Sequence, residues 1–151
     1  MPVPVAPILE EALAIVQMRP DCREVDFSVS APDDLPEVCI APDKLHQALV
    51  NLLINASHAV QSQSTQQVAL AASGVTEGVE ITVTDSGPGF SAVAMERAME
   101  PFFTTKPVGQ GIGLGLATSL QIVESAGGTL SVENRAEGGA VVRISLPSEP
   151  A

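Results

Sequence analysis

The stretch from Asp85 to Leu116 contains residue types from which a nucleotide site can be built. It opens with Asp85-Ser86-Gly87-Pro88-Gly89 and closes with Gly111-Ile112-Gly113-Leu114-Gly115-Leu116, and Lys106 lies between the two glycine clusters. Glycine has no Cβ, so backbone N–H groups can approach phosphate oxygens closely. The second cluster runs into an apolar pattern of helical period, which would place its N–H groups at a helix N-terminus that favours an anion. We therefore predict an ATP site closed by a lid.

A second group of polar side chains lies on a predicted helix over residues 42–62. Gln47, Asn51, Asn55 and His58 share one edge of this helix, beside a wide apolar face. Two asparagines inside a helix are unfavourable relative to alanine, because their amides compete with the backbone. The edge is either a solvated flank or a ligand site. In the second case an Asn carbonyl oxygen suits Mg²⁺ that also binds phosphate.

The remaining elements must position these side chains. A helix is predicted over residues 7–19, with an apolar stripe of Ile8, Leu9, Ala12, Ile15 and Val16. Further predicted elements are strands at 25–29, 38–40, 68–72 and 79–84, a short helix at 91–99, a helix at 113–126, and a hairpin of 129–133 with 140–146. Strands and helices come in runs rather than in strict alternation. This order favours an α+β two-layer sandwich, with a mixed, mostly antiparallel sheet of about five strands covered by about three helices.

Composition limits the classes of function. The chain of 151 residues is 45% hydrophobic, which suits one compact domain with a real core. No apolar run approaches the roughly 18 residues of a membrane span, and no signal peptide is evident, so we expect a cytoplasmic domain without direct membrane contact. Cys22 and Cys39 match no metal-ligand spacing. The net charge of −11, without a Lys/Arg cluster, argues against nucleic acid as a partner.

Two common nucleotide motifs are excluded. A Walker P-loop needs a Gly-Lys pair, and none occurs in the chain. The dinucleotide fingerprint needs glycines at i, i+2 and i+5, but the last of these positions, counted from Gly111, is Leu116. The site must therefore belong to another nucleotide-binding class.

Four segments resemble, in order and spacing, the N, G1, F and G2 boxes of sensor histidine kinases. They are Asn51-Leu52-Leu53-Ile54-Asn55-Ala56, Asp85-Ser86-Gly87-Pro88-Gly89, Pro101-Phe102-Phe103-Thr104-Thr105-Lys106 and Gly111-Ile112-Gly113-Leu114-Gly115-Leu116. These kinases belong to the GHKL ATPase superfamily with the Bergerat fold, and the lid segment is most similar to the nitrogen-regulator type. The resemblance covers about residues 7–147 and implies a catalytic, Mg-ATP-binding domain.

The resemblance also implies a role for each matching residue. Asp85 would accept a hydrogen bond from the adenine amino group, Asn55 would ligate Mg²⁺, and Asn51 would line the same edge toward the phosphates. The other residues implied in nucleotide binding are Gly87 and Gly89 beneath the adenine, Thr104, Thr105 and Lys106 in the lid, and Gly111, Gly113, Leu114, Gly115 and Leu116 around the phosphates. The implied catalytic residues are Asn51, Asn55 and Lys106.

Two positions depart from the common pattern of these kinases. His58 stands where many members have Lys or Arg near the phosphates, so a contact there would be weaker and pH-dependent. Ala140 stands where many have Thr or Ser close to the adenine, so a water-bridged contact would be missing.

The resemblance further implies the reaction and its partners. Asn51 stands where hydrolytic relatives carry Glu, and an amide cannot act as a general base, so transfer of the γ-phosphoryl group to a histidine is expected rather than fast hydrolysis. Neither His46 nor His58 is followed by Glu or Asp. The acceptor is therefore expected on a dimerisation and phosphoacceptor domain of the same parent kinase, and a response regulator receiver domain would act next. The isolated domain is expected to be monomeric.

Two alternatives remain open at this point. One is a nucleotide-binding regulatory module without turnover, a pseudokinase. The other is an anti-sigma-factor-type serine kinase, which shares the fold.

Overall fold

The computed structural model describes residues 2–32, 34–61, 63–89, 115–136 and 138–148. Within these ranges the chain forms three α-helices, five β-strands and a short 3-10 helix at Pro20–Cys22. In chain order the elements are α1 (Ala6–Gln17), β1 (Asp26–Ser30), α2 (Pro42–Val60), β2 (Gln67–Val75), β3 (Gly78–Asp85), α3 (Gly115–Ser125), β4 (Thr129–Asn134) and β5 (Ala140–Pro147).

The five strands form one mixed sheet in the order β1-β2-β3-β5-β4. Strand β1 is parallel to β2, and every other neighbouring pair is antiparallel. Alternate residues of β3, namely Val79, Ile81, Val83 and Asp85, are buried. These side chains share one face of the sheet, which the helices cover. The prediction of an α+β two-layer sandwich with a five-stranded mixed sheet and three helices is confirmed.

Helix α2 is the central element of the helical layer. It packs against α1 and α3 and lies over β2 and β3. Its four leucines, Leu45, Leu49, Leu52 and Leu53, are almost completely inaccessible to solvent. The helix begins at Pro42, whose fixed φ suits a first helical position and whose missing N–H is not needed there. Burial of each leucine contributes roughly 1.5–3 kcal/mol, so this helix holds the two layers together.

Helix α1 differs from its predicted pattern at one residue of the apolar stripe. Ile15 is 48% exposed, whereas Leu13, which the prediction left out, is only 6% exposed. At 100° per residue, the buried side chains of α1 occupy an arc that runs from Ile8 through Ala12 to Leu13. Ile15 lies just beyond the Ile8 end of this arc and is therefore exposed. The predicted stripe was therefore wrong at its margin and right at its centre.

The predicted strand at 38–40 is absent from the sheet. The segment forms only an isolated antiparallel bridge, in which Val3 and Val38 exchange backbone hydrogen bonds of 2.8 and 2.9 Å. Pro36 and Pro42 flank the segment and lack N–H donors, so too few backbone groups remain for a ladder. The short helix predicted at 91–99 lies outside the described residues.

No helix in the described ranges is long and apolar enough to cross a membrane.

Candidate nucleotide-binding site

The centre of the site is a carboxylate at the end of the sheet. Asp85 is the last residue of β3, points toward the helical layer and is 8% exposed. The N–H of Gly87 donates to its Oδ1 at 2.9 Å, and the backbone N–H of Ala140 also favours the charged form of this carboxylate. Burial raises the pKa of Asp85, while these two amides and the charge of Arg135 oppose the rise. The backbone thus fixes the orientation of a buried acid.

The turn that follows Asp85 is tied to the start of β2. The hydroxyl of Ser86 accepts a hydrogen bond from the Gln67 N–H at 2.9 Å and donates one to the Thr65 carbonyl at 2.9 Å. The Ser86 N–H donates to the Gln67 carbonyl at 3.1 Å. Since both polar groups of Ser86 bind the neighbouring chain segment, the turn has little freedom to shift along the sheet.

The same turn lies against the last turns of α2. A Cβ on Gly87 would lie 2.7 Å from the Ala59 carbonyl oxygen, closer than real Cβ atoms approach other atoms. Asn55 and Asn51 lie one and two turns before Ala59, which corresponds to about 6 and 12 Å along the helix axis. Both asparagines are half-buried. The structure therefore places the acid and the polar edge of α2 on the same side of the molecule.

His58 is engaged by a residue from the segment between α1 and β1. Its Nε2 lies 2.9 Å from Oδ2 of Asp21. Asp21 also accepts two hydrogen bonds of 3.0 Å from Arg19, and its carbonyl accepts one from Gln61 at 3.1 Å. The bonds from Arg19 and His58 hold the pKa of Asp21 well below its usual range. A contact of His58 with nucleotide remains a prediction.

The end of the second glycine cluster meets α2 near the asparagines. Helix α3 begins at Gly115, and the half-buried Leu116 packs against the core. The buried hydroxyl of Ser119 donates to the Ala48 carbonyl at 3.3 Å, one turn before Asn51. The N-terminal end of α3 therefore lies beside the polar edge of α2. The other predicted residues, Thr104, Thr105, Lys106, Gly111, Gly113 and Leu114, lie outside the described residues.

The sequence analysis missed two residues that shape this region. Asp21 binds His58 but is far from it in the chain, and no local motif marks it. Gly139 follows Gly138 in the β4–β5 turn and lies against the backbone of Asp85. The glycine pair itself was visible as a hairpin signal, whereas its contact with Asp85 depends on the pairing of β3 with β5.

The described residues fit an adenine nucleotide. A carboxylate offers about four lone-pair positions, and two backbone amides use part of them, so Asp85 keeps acceptor capacity for an exocyclic amine. In the described part of the chain, no group of three or more His, Cys, Asp or Glu residues could hold a metal ion. The amide oxygen of Asn55 remains the predicted protein ligand for Mg²⁺ on this edge of α2, and Asn51 lies one turn before it.

Residues 40–150 match the sequence model of a family described as histidine kinase-, DNA gyrase B-, and HSP90-like ATPase. The chain belongs to this family. It is 40% identical over 140 residues to the sensor histidine kinase ZraS of Escherichia coli O157:H7, covering 93% of this chain and 30% of ZraS. It is also 40% identical over 145 residues to the C4-dicarboxylate transport sensor protein DctB of Pseudomonas aeruginosa, covering 95% of this chain and 24% of DctB.

Solved structures show the same histidine kinase-like ATPase fold. The nucleotide-free catalytic domain of the histidine kinase ThkA matches with a TM-score of 0.84 at 26% identity, covering 98% of this chain and 95% of that one. Full-length ShkA in complex with AMPPNP matches with a TM-score of 0.80 at 28% identity, covering all of this chain and 31% of that one.

The chain spans only 24% to 30% of the length of these curated sensor kinases. It is an ATP-binding catalytic domain of the sensor histidine kinase type, and the resemblance seen in the four sequence segments is confirmed.

Proposed function

We propose that this domain binds Mg-ATP and transfers the γ-phosphoryl group to a histidine on a dimerisation and phosphoacceptor domain of the same parent kinase. A response regulator receiver domain would take the phosphoryl group next. The observation that carries the proposal is the buried carboxylate of Asp85, held by backbone amides beside a helix edge that carries two half-buried asparagines.

Base recognition follows from the chemistry of the carboxylate. An ionised Asp85 only accepts hydrogen bonds, so it suits the amino group of adenine and repels the carbonyl oxygen that guanine presents at the same position. Because the side chain is buried and held by the backbone, little entropy is lost when the base binds. Selectivity for ATP over GTP is therefore expected to reside mainly in this one residue.

Phosphate binding is proposed for the opposite end of the site. Asn55 would hold Mg²⁺ through its amide oxygen, and Asn51 would line the path to the phosphates. Bound Mg²⁺ would neutralise charge that develops on the triphosphate. The backbone amides of Gly111, Gly113, Leu114, Gly115 and Leu116, with Thr104, Thr105 and Lys106, would supply the remaining contacts.

Transfer would rely on positioning rather than on a general base of this domain. Asn51 cannot remove a proton from water, so hydrolysis has no base at that position. A neutral imidazole is itself a nucleophile and needs only alignment with the γ-phosphorus and stabilisation of the charge around it. The acceptor histidine must come from another domain, since neither His46 nor His58 lies in a His-Glu or His-Asp pair.

Calorimetry on the chain and on Asp85→Asn tests the nucleotide site. We expect the wild-type chain to bind ATP and ADP, more tightly with Mg²⁺ present for ATP, and to prefer ATP to GTP. Asp85→Asn replaces an acceptor oxygen with a donor amide, and loss of one hydrogen bond to a charged group corresponds to roughly ten- to hundredfold weaker ATP binding. Asp34→Asn makes the same chemical change in an exposed segment and should bind normally.

Failure of the wild-type chain to bind any adenine nucleotide, with or without Mg²⁺, would overturn the proposal. If it binds, a phosphoacceptor domain of a relative such as ZraS, supplied in trans with labelled ATP, tests transfer. Label that appears on histidine supports the kinase. Binding without any transfer would favour a regulatory module, and label on serine of a partner would favour the anti-sigma-factor-type kinase.

A further inference from the structure

We propose that the β4–β5 hairpin is the positioning element for the base-recognising carboxylate, and that Gly139 is the residue on which this positioning depends. The inference rests on the proposed function, because it assigns a role to the hairpin in the selection of adenine by Asp85. It concerns a residue that touches no nucleotide in the proposed scheme and acts through the backbone of Asp85.

The hairpin turn is closed by its own backbone. The N–H of Arg135 donates to the Gly139 carbonyl at 2.9 Å, and the N–H of Gly138 donates to the Arg135 carbonyl at 3.1 Å. Gly138 and Gly139 both have positive φ, at 106° and 89°, which is the left-handed region that glycine adopts readily. The turn is thus a defined structure that presents its second glycine to the end of β3.

Gly139 lies directly against the backbone of Asp85. A Cβ on Gly139 would lie 2.0 Å from the Asp85 carbonyl oxygen and 3.4 Å from the Cα of Ser86. Because real Cβ atoms essentially never approach closer than 3.0 Å, a side chain at Gly139 must shift Asp85 and the hairpin relative to each other by about 1 Å. The donor–acceptor distance of an N–H···O hydrogen bond varies over only about 0.5 Å, so a shift of this size is enough to break one.

The hairpin also contacts the turn of residues 85–89, which follows β3, at two further points. The backbone N–H of Ala140, the residue after Gly139, favours the charged form of the Asp85 carboxylate. At the far end of the turn, a Cβ on Gly89 would lie 2.8 Å from Oδ1 of Asn134 and 3.2 Å from the Gly139 carbonyl oxygen. Both ends of the turn therefore rest on the hairpin. The anchoring by Ala140 uses its backbone, so the absence of a hydroxyl at this position does not remove it.

A matched pair of glycine substitutions separates positioning from stability. Gly139→Ala and Gly138→Ala both place an alanine at positive φ, but a Cβ on Gly138 meets no atom within 4 Å. We expect both variants to lose thermal stability, and Gly139→Ala to lose more, because its Cβ also meets the Asp85 carbonyl oxygen. Gly138→Ala should keep the wild-type ATP:GTP affinity ratio within about twofold, whereas Gly139→Ala should reduce that ratio at least tenfold, because the acceptor no longer lies where the base presents its amine.

Isothermal titration with ATP and GTP on the full chain measures these ratios. An unchanged ratio in folded Gly139→Ala would overturn the inference. If that variant does not fold, Ala140→Pro provides the test of positioning. It removes the N–H of the first residue of β5, a strand position where proline is tolerated. Ala140→Pro should then lower the ratio and Ala140→Ser should not, and equal ratios would overturn the inference. Absence of ATP preference in the wild-type chain would instead overturn the proposed function.

Discussion

At the scale of single residues, Asp85 is subject to two opposing effects. Burial disfavours its charged form, while two backbone N–H groups and the nearby Arg135 favour it. The pKa of Asp85 remains above its usual value, so the charged carboxylate would be stabilised by a further donor. The amino group of adenine is such a donor, and its binding would offset part of the cost of burying this carboxylate.

Asp21 allows a residue-scale test of the segment that binds His58. Its pKa is depressed in the folded chain, so its stabilising contribution is complete above the ordinary value of 3.8 and declines as the pH falls toward the folded value. Asp21→Asn should lower the free energy of unfolding at pH 7 by about 0.2–1 kcal/mol, the range for exposed ion pairs. The difference between variant and wild type should shrink below about pH 3.8.

Urea denaturation at several pH values measures this difference. Asp34→Asn, in an exposed segment, serves as the control and should match wild type near neutral pH. A difference for Asp21→Asn that stays constant down to pH 2.5 would contradict the assigned ionic contribution.

Residues in local motifs could be predicted from the sequence, and residues that act across the fold could not. Asp85 and Gly87 lie in one short segment whose residue types already indicate a turn that binds an anion or a base. Asp21 and Gly139 matter only because the topology brings the segment before β1 to the end of α2, and β5 beside β3. Such pairings depend on the whole fold, and a single sequence carries no local signal for them.

At the scale of elements, α2 unites the structural core with the site. Its leucines fill the space between the other helices and the sheet, while the edge beside them carries Asn51 and Asn55. Apolar residues recur at helical spacing along the whole of this helix, so its bounds were easy to predict. The short segment at 38–40 had apolar residues but no partner strand of sufficient length, and composition alone could not reveal that.

Helix α1 offers an element-scale test of which edge of its apolar stripe is buried. Leu13→Ala removes a side chain that is 6% exposed and should cost about 2–4 kcal/mol of unfolding free energy. Ile15→Ala changes a residue that is 48% exposed and should cost less than about 1 kcal/mol. Urea denaturation of both variants gives the comparison, and similar losses would mean that α1 is rotated from the position described above.

At the scale of the whole molecule, a net charge of −11 must be reconciled with an anionic ligand. Of the described arginines, Arg19 is engaged by Asp21, and Arg143 by both Glu80 and Glu133. These cations therefore contribute little net positive potential. Attraction for ATP is expected to come from short-range features, namely backbone amides, Mg²⁺ and the predicted Lys106, because salt screens the general repulsion beyond about 8–10 Å.

The bridge between Val3 and Val38 has a consequence for how the chain can be rearranged. The Cys39 N–H donates to the Pro147 carbonyl oxygen at 3.4 Å, so the dipeptide Val38-Cys39 contacts both Val3 and Pro147. These two residues therefore lie within about 10 Å of each other, which is twice the spacing of adjacent strands. Pro147 pairs with Gly78, at the other end of β3 from Asp85, about 23 Å away.

Circular permutation should therefore preserve base selection. A flexible linker of about six Gly/Ser residues would join Pro147 to Val3, and new ends can be opened in the exposed segment at Asp34. We expect the permuted chain to fold and to keep the wild-type ATP:GTP affinity ratio in calorimetry. A folded permutant without that preference would show that changes near Val3 and Pro147 alter the geometry of the adenine site.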